Sequence, residues 1–147
     1  MSDLPGGDAV LSALLQKAET LRAALAAKVD MNLSGNVLQT RTGALRDSIS
    51  SSVEDGGEVV AILIESVGVP YAAIQEYGGR TSAHDIVATK SKALRFIGPR
   101  GVTFAKIVHH PGSLIPARSY VGSAIAEMRE ELQDGLKSSI LDALGAN

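Results

Sequence analysis

The stretch at residues 59–67, VVAILIESV, decides the fold class, because nearly continuous β-branched and aliphatic residues are typical of a central strand. We therefore predict a central strand at this position. Directly before it, Asp55-Gly56-Gly57 predicts a hairpin turn, since glycine readily adopts positive φ angles. The serines at residues 50–52 are then expected to lead into the partner strand.

Two long amphipathic helices are predicted outside this hairpin. The first runs from about Asp8, its expected N-cap, to about Met31, and the second, expected to be the longest, from about Ser119 to Leu144. Apolar residues recur every three or four positions in both, so each helix has one stripe that faces the core. The stripes are Leu11, Leu14, Leu15, Ala18, Leu21, Leu25 and Val29 in the first helix, and Val121, Ile125, Met128, Leu132, Leu136, Ile140 and Leu144 in the second.

Two short helices are predicted between the long ones. The first covers residues 42–49 and is expected to be capped by Thr42. The second covers residues 71–77, begins after Pro70 and ends at Gly78-Gly79.

An extended arm of loop and hairpin is predicted at residues 80–111. Residues 80–91 have little periodicity and indicate an exposed loop. A second hairpin follows, in which residues 93–97 and 102–108 flank a turn at Gly98-Pro99-Arg100-Gly101.

The order of these elements predicts an α+β fold. A mainly antiparallel sheet of about four strands, contributed by the two hairpins, is expected to pack against a long N-terminal and a long C-terminal helix. Residues 1–147 are expected to form a single domain, with a flexible N-terminal segment at residues 1–7.

Composition and charge argue against several classes of protein. The 147 residues carry a formal net charge of −2, which argues against a domain that grips nucleic acid through overall electrostatics. The chain contains no cysteine, so disulfides, thiolate metal sites and cysteine nucleophiles are excluded. The N-terminus does not resemble a signal peptide, and no apolar run approaches the roughly 20 residues of a membrane span. We expect a soluble, cytoplasmic protein without membrane contact.

Residues able to bind metal or perform catalysis do not form a recognisable set. Zinc sites need three or four convergent ligands, whereas His84-Asp85 and His109-His110 lie in or beside predicted loops. There is no G-x-S-x-G motif, and Gly98-Pro99-Arg100-Gly101 lacks the lysine of a phosphate loop. The paired carboxylates of the C-terminal helix are expected on its solvated face; they are Glu127, Glu130, Glu131 and Asp134. We expect no enzymatic activity, no metal and no cofactor.

Three short motifs stand in order along the chain. They are TGALRDSI at residues 42–49, PYAAIQEYGG at residues 70–79, and IPARSY at residues 115–120 before the long C-terminal helix. In this order they resemble the small neck and tail-completion proteins of tailed phages, and the resemblance covers roughly residues 40–145. The chain departs from the family pattern at Ser119, where many relatives have proline, and in a long insert that carries the second hairpin.

The resemblance implies a structural virion protein of the head–tail junction, which assembles as a ring, commonly sixfold, joins or caps the tail and leaves a channel for DNA. Its partners would be further copies of itself, neighbouring head-closure, tail-terminator or tail-tube proteins, and DNA that passes without sequence-specific binding. It would assemble in the host cytoplasm and reside in the virion, at the neck or the top of the tail. One alternative is a tail terminator that stops polymerisation of the tail tube. Another, from a different class, is a small DNA-binding module that uses residues 80–106.

Candidate contact residues between subunits lie in and around the second and third motifs and the arm. We expect Glu76 to form an ion pair with Arg118 or Arg46. We expect Tyr71 and Tyr77 to anchor the short helix that contains them. The full set of candidates is Tyr71, Glu76, Tyr77, Arg80, Arg95, Arg100, Lys106, His109, His110, Arg118 and Tyr120.

Basic residues cluster in the arm. Three roles are open for this cluster: contact with an acidic neighbour in the ring or in the next ring, contact with DNA in the channel, or simple solubilisation of an exposed hairpin. Exposed hairpins can add a strand to a neighbouring sheet, which favours contact between subunits. The cluster consists of Arg80, Lys90, Lys92, Arg95, Arg100 and Lys106.

Overall fold

The computed structural model describes residues 6–39, 41–57 and 59–145. The helices in this part of the chain are α1 (Gly7–Leu33), α2 (Ala44–Asp47), α3 (Ala72–Tyr77), α4 (Tyr120–Glu127) and α5 (Arg129–Gly145). The strands are β1 (Ile49–Asp55), β2 (Val60–Ser66), β3 (Gly79–Arg80), β4 (His84–Val87), β5 (Leu94–Gly98), β6 (Gly101–Ala105), β7 (Ile107–His110) and β8 (Leu114–Ile115). The predicted α+β class, with antiparallel strands and a long helical segment at each end, is confirmed.

The core forms along one face of α1. Its buried apolar residues recur every three or four positions, as the predicted stripe requires; they are Ala18, Leu21, Leu25, Val29 and Leu33. Buried residues from the loop after α1, from α2, α3 and α4, and from the junction of α4 with α5 pack against the second half of this stripe; they are Leu38, Leu45, Ala72, Tyr120, Ala124 and Met128. Within the described residues, no helix is both long and apolar enough to cross a membrane.

The start of α1 differs from the prediction. The helix begins at Gly7 with Gly6 as its N-cap, so Asp8 is not the cap and lies in the first turn instead. A carboxylate in the first turn still complements the helix dipole. Of the predicted flexible segment, residues 1–5 lie outside the described residues, and Gly7 is already helical.

The first hairpin is present at the predicted position. β1 and β2 pair from Ile49↔Ser66 to Asp55↔Val60, and one face of the hairpin packs on α1. The prediction that β2 is a central strand is wrong, because this sheet contains only two strands in the described part of the chain. The outer edge of β2 therefore has no strand partner there.

The second hairpin is also present but forms a sheet of its own. Residues 80–91, predicted as a loop, contain β4, which pairs with β7. The pairs β3–β8, β4–β7 and β5–β6 are nested, so residues 79–115 form one long antiparallel hairpin, which we call the ribbon.

The predicted C-terminal helix is divided into α4 and α5. Met128 has non-helical backbone angles (φ −96°, ψ 6°) between them, and α1, with 27 residues, is the longest helix. Tyr120, Ala124 and Met128 are buried, whereas the predicted core residue Ile125 is exposed. The buried face of α4 is thus displaced by one position from the predicted stripe.

The first short helix is also shorter than predicted. α2 covers only Ala44–Asp47 and has Gly43 as its N-cap, while the Thr42 hydroxyl accepts a 3.4 Å hydrogen bond from the Ala44 N–H. Positive φ at Gly43 (77°) explains why glycine holds the cap position.

A buried amide joins the end of α1 to the start of α4. Asn32 Nδ2 donates hydrogen bonds to the Tyr120 carbonyl oxygen at 2.9 Å and to Ser123 Oγ at 3.0 Å. Both donated bonds need the amide, since a carboxylate has no hydrogen to donate.

We expect Asn32→Asp to lower the free energy of unfolding by about 2 kcal/mol or more, because it removes the donor of both hydrogen bonds and places a buried charge against the Tyr120 carbonyl oxygen. Urea denaturation followed by circular dichroism measures this change. Asn36→Asp makes the same substitution at an exposed position and should change stability by less than about 0.5 kcal/mol. Equal effects of the two substitutions would contradict the role assigned to Asn32.

Candidate assembly interface

Glu76, at the end of α3, caps the N-terminus of α4. Its carboxylate accepts hydrogen bonds from the backbone N–H groups of Tyr120 at 2.8 Å, Val121 at 3.0 Å and Gly122 at 2.9 Å. It also accepts a 2.6 Å bond from the Ser119 hydroxyl. The first N–H groups of a helix have no partner within the helix, so one carboxylate here satisfies three of them at once.

The charge of Glu76 suits this position although the side chain is only 8% exposed. Burial raises the pKa of Glu76. The hydrogen bonds from Ser119 and from the backbone of Val121, Gly122 and Tyr120 lower it by more than burial raises it, so the pKa lies below its usual value. Burial and the neighbouring Glu76 carboxylate raise the pKa of Tyr120. Glu76 is therefore an ionised cap at neutral pH.

The predicted ion pair of Glu76 with Arg118 or Arg46 is wrong. Arg46 instead binds Asp30 of α1 through Nε at 2.5 Å and Nη2 at 3.2 Å. Arg118 contributes its backbone N–H, which donates to the Gln75 carbonyl oxygen at 2.7 Å. The acceptor capacity of Glu76 is used by backbone N–H groups and a serine hydroxyl, so no guanidinium is needed.

The Glu76 cap lies beside the base of the ribbon, where the two strands of the ribbon leave the core. Gly78 ends α3 with a positive φ of 71°, and a Cβ at this position would come within 2.7 Å of the Ala117 nitrogen and 2.9 Å of the Ile115 oxygen. Directly beyond it, Gly79 pairs with Ile115 and Arg80 with Leu114. The backbone at Gly78 and at residues 115–117 is thus in close contact at the base of the ribbon, where its two strands leave the core.

Beyond this base, one strand of the ribbon contains more unpaired residues than the other. Val87 of β4 pairs with Ile107 of β7, and Leu94 of β5 pairs with Ala105 of β6. Six residues, 88–93, therefore stand opposite the single residue Lys106. The strand that contains β6 and β7 is the more regular edge of the ribbon.

The tip of the ribbon presents an uncovered apolar face. In the β5–β6 register, Ile97 is opposite Val102 and Phe104 is opposite Arg95, so these four side chains share a face. Ile97 is 83% exposed, Phe104 is 65% exposed and Val102 is also exposed. Adjacent apolar side chains that no part of the described chain covers are typical of a contact surface.

The ribbon is also strongly basic. It carries six of the chain's 14 lysine and arginine residues but only one of its 16 acidic residues, Asp85. The ribbon therefore has a formal charge of +5 and the remainder of the chain −7. The net charge of −2 conceals this separation of positive and negative charge along the chain.

The histidines lie together on β4 and β7. His109 Nδ1 is 2.8 Å from Asp85 Oδ1, and the rings of His84 and His110 stack with centroids 5.2 Å apart. His110 Nδ1 accepts a 3.1 Å hydrogen bond from the Gly112 N–H. Among the described residues, no three His, Cys, Asp or Glu side chains converge as metal ligands would.

The structure separates the predicted contact residues into two groups. Glu76 and Tyr120 are buried inside the subunit, where they position α4, so their prediction as interface residues is corrected. Tyr77 is 80% exposed and does not anchor α3 by packing. Exposed or half-buried are Tyr71, Tyr77, Arg80, Arg95, Arg100, Lys106, His109, His110 and Arg118.

Two of these residues share a cleft of about 320 Å³ beside α2. Tyr71 and Arg118 line it together with Arg41, Thr42 and Gln75. The first motif, at residues 42–49, thereby meets the second and third.

Ile97, Val102 and Phe104 are not among the contact residues predicted from the sequence. The sequence shows that these residues alternate along the predicted strands. It does not show whether their face is buried, because that depends on where the rest of the chain places the hairpin.

Comparison of the chain with protein-family models, with curated proteins and with solved structures gave no significant match.

We expect Glu76→Gln to lower the free energy of unfolding by about 2 kcal/mol or more at neutral pH, because an amide offers one acceptor oxygen and turns an NH₂ group towards N–H donors. The folded-state pKa of Glu76 lies below the usual 4.5. The stability that its charge contributes is thus complete above about pH 4.5 and is lost as pH falls through the folded-state pKa.

Urea denaturation at a series of pH values measures this effect, with the exposed Glu131→Gln as control. The difference between the unmodified chain and Glu76→Gln should shrink at acid pH. A difference that does not change with pH would show that the charge of Glu76 has no part in capping α4.

We expect Gly112→Ala to open the base of the ribbon, because its Cβ would overlap the Thr81 carbonyl oxygen. Gly101→Ala is the matched control: both glycines have positive φ, 85° and 101°, but open space surrounds Gly101. Hydrogen exchange should show faster exchange across β3 and β8 in Gly112→Ala only. Similar exchange in both variants would mean that backbone strain alone, and not the close approach to Thr81, governs the base.

Proposed function

We propose that this chain is a structural protein of the head–tail junction of a tailed-phage particle, of the neck or tail-completion type. Copies associate into a ring, commonly sixfold in such proteins, that joins or caps the tail and leaves a channel for DNA. The protein acts by forming contacts with copies of itself and with neighbouring junction proteins, and it performs no chemical step. Its location is then the neck or the top of the tail.

The ribbon is the observation that carries this proposal. It has a formal charge of +5 and an apolar face at Ile97, Val102 and Phe104 that no other described residue covers. A monomeric domain gains nothing from such a feature, since exposed apolar side chains lower solubility. A subunit that buries this face against another protein gains hydrophobic free energy of roughly 25 cal/mol per Å².

The relation among the three motifs supports the proposal. Glu76 of the second motif binds the backbone of Tyr120, the last residue of the third motif, and of Val121, the next residue, and both motifs lie at the base of the ribbon. Arg118 and Tyr71 share a cleft with Thr42 of the first motif. The residues that carry the resemblance thus form one connected structural unit, which is expected if they belong to one family pattern.

Rigid positioning gives a mechanism for ring formation. A ring closes only if each copy holds its donor and acceptor surfaces at a fixed angle, since a variable angle gives open chains or aggregates. The close contact at Gly78 and the Glu76 cap fix the direction in which the ribbon leaves the core. The ribbon can therefore act as a directed contact arm.

Electron microscopy of particles made when the gene carries an early stop codon, with a complemented control, tests the proposal. DNA-filled heads beside unjoined tails support the junction function. Tails of abnormal length would indicate a tail terminator instead. Normal, infectious particles would overturn the proposal, and salt-sensitive binding of the chain to duplex DNA would then favour the DNA-binding module.

We expect Arg95→Glu with Arg100→Glu to block ring assembly while each subunit stays folded, because both side chains are exposed and lie at the tip of the ribbon. The control is Arg129→Glu with Lys137→Glu, which makes the same charge change on exposed positions of α5. Light scattering measures the assembled mass and circular dichroism the fold. Unchanged assembly of the ribbon variant would contradict its role as the contact arm.

A further inference from the structure

The outer edge of β2 is an unprotected strand edge. Proteins usually shield edge strands with charged residues, proline or bulges, because a free row of N–H and C=O groups pairs with other strands. The first five residues of β2, VAILI, contain none of these, and no strand in the described part of the chain pairs with this edge. β1 differs, since it contains three serines and ends with Glu54-Asp55.

The surroundings of β2 are acidic. Residues 49–66, which make up the first hairpin and its turn, carry four acidic residues and no lysine or arginine, so their formal charge is −4. The ribbon carries +5. These two hairpins are therefore the most complementary pair of strand-bearing surfaces on the chain.

The ribbon offers a matching free edge at β6. Its five residues, GVTFA, contain no proline, and they lead through Lys106 directly into β7. The opposite strand is broken by residues 88–93, which makes it a poor partner for a further strand. β6 is thus the edge along which an additional strand can pair most regularly.

We infer that β6 of one copy pairs with the outer edge of β2 in a neighbouring copy. Together β1, β2, β6 and β5 then form a four-stranded sheet across the subunit boundary. The basic tip of the ribbon lies against the acidic hairpin, and Val102 and Phe104 lie on the same face of this sheet as Ala61 and Leu63. This inference rests on the proposed self-assembly and identifies its donor and acceptor surfaces.

Pairing of this kind is directional. The donor edge, β6, and the acceptor edge, β2, are different surfaces, so each copy gives one and receives one. Such head-to-tail contacts produce closed rings when the rotation between copies closes, whereas identical surfaces produce two-fold dimers. The inferred contact is therefore of the type that a ring requires.

The absence of cysteine from the chain allows a clean test by disulfide formation between copies. Residues paired across neighbouring strands have Cβ atoms about 4.5–5.5 Å apart, close to disulfide geometry. One copy carries Phe104→Cys, and the other carries a single cysteine on the outer face of β2, at Ala61, Leu63 or Glu65 in turn to sample the register. In the control, Leu141→Cys on α5, 58% exposed, replaces Phe104→Cys.

Mixed oxidation should yield a heterodimer for at least one β2 position with Phe104→Cys and none above background with Leu141→Cys. Light scattering on the same samples reports self-association. Self-association without any Phe104-specific crosslink would overturn the inferred contact alone and leave the proposed function standing. Lack of self-association at any concentration would overturn both.

Charge reversal provides an independent measurement. Arg95→Glu with Arg100→Glu should weaken self-association about tenfold or more, since the tip of the ribbon then carries charge of the same sign as the acidic hairpin. Adding Glu65→Lys, on the acceptor strand β2 itself, to the same chain should restore part of the affinity. Failure of Glu65→Lys to restore any association in a folded chain would overturn the inferred contact.

Discussion

The capping of α4 by the buried Glu76 carboxylate is the interaction on which the other parts of this structure depend. Three backbone N–H groups and one hydroxyl converge on it. This fixes α3 against α4, brings Tyr120 into the core and leaves Gly78 and Ile115 side by side at the root of the ribbon. An ionised group this buried is stable only when its acceptor capacity is used, so the arrangement tolerates little displacement of either helix.

Two surfaces of the folded chain have no partner among the described residues, and their charges are opposite in sign. β2 has the composition of a central strand but lies at an edge, and the ribbon has apolar side chains without a covering layer. One hairpin is acidic and the other basic. Within the described chain these two surfaces do not pair with each other, whereas the proposed ring would pair them between neighbouring copies. This relation connects the proposed ring with the features that the isolated subunit leaves open.

Much of the fold was predictable because it follows local rules. The stripe of α1, the Asp55-Gly56-Gly57 turn and the end of α3 at Gly78 each depend on neighbouring residues alone. The errors concern positions where distant parts meet. β4 was predicted as a loop because its partner, β7, lies about 20 residues away, and the buried face of α4 is displaced because Glu76 and Asn32 hold it from outside the helix.

The sequence by itself determined the α+β class, the two hairpins and the basic character of residues 80–106, since hydrophobic period, turn residues and charge are properties of short segments. Only the tertiary structure decided that Glu76 caps a helix instead of pairing with an arginine. It also decided that the hairpins form separate sheets and that Ile97, Val102 and Phe104 remain exposed. The physical reason is that a side chain's partner and burial depend on what the whole chain places beside it, which no local pattern specifies.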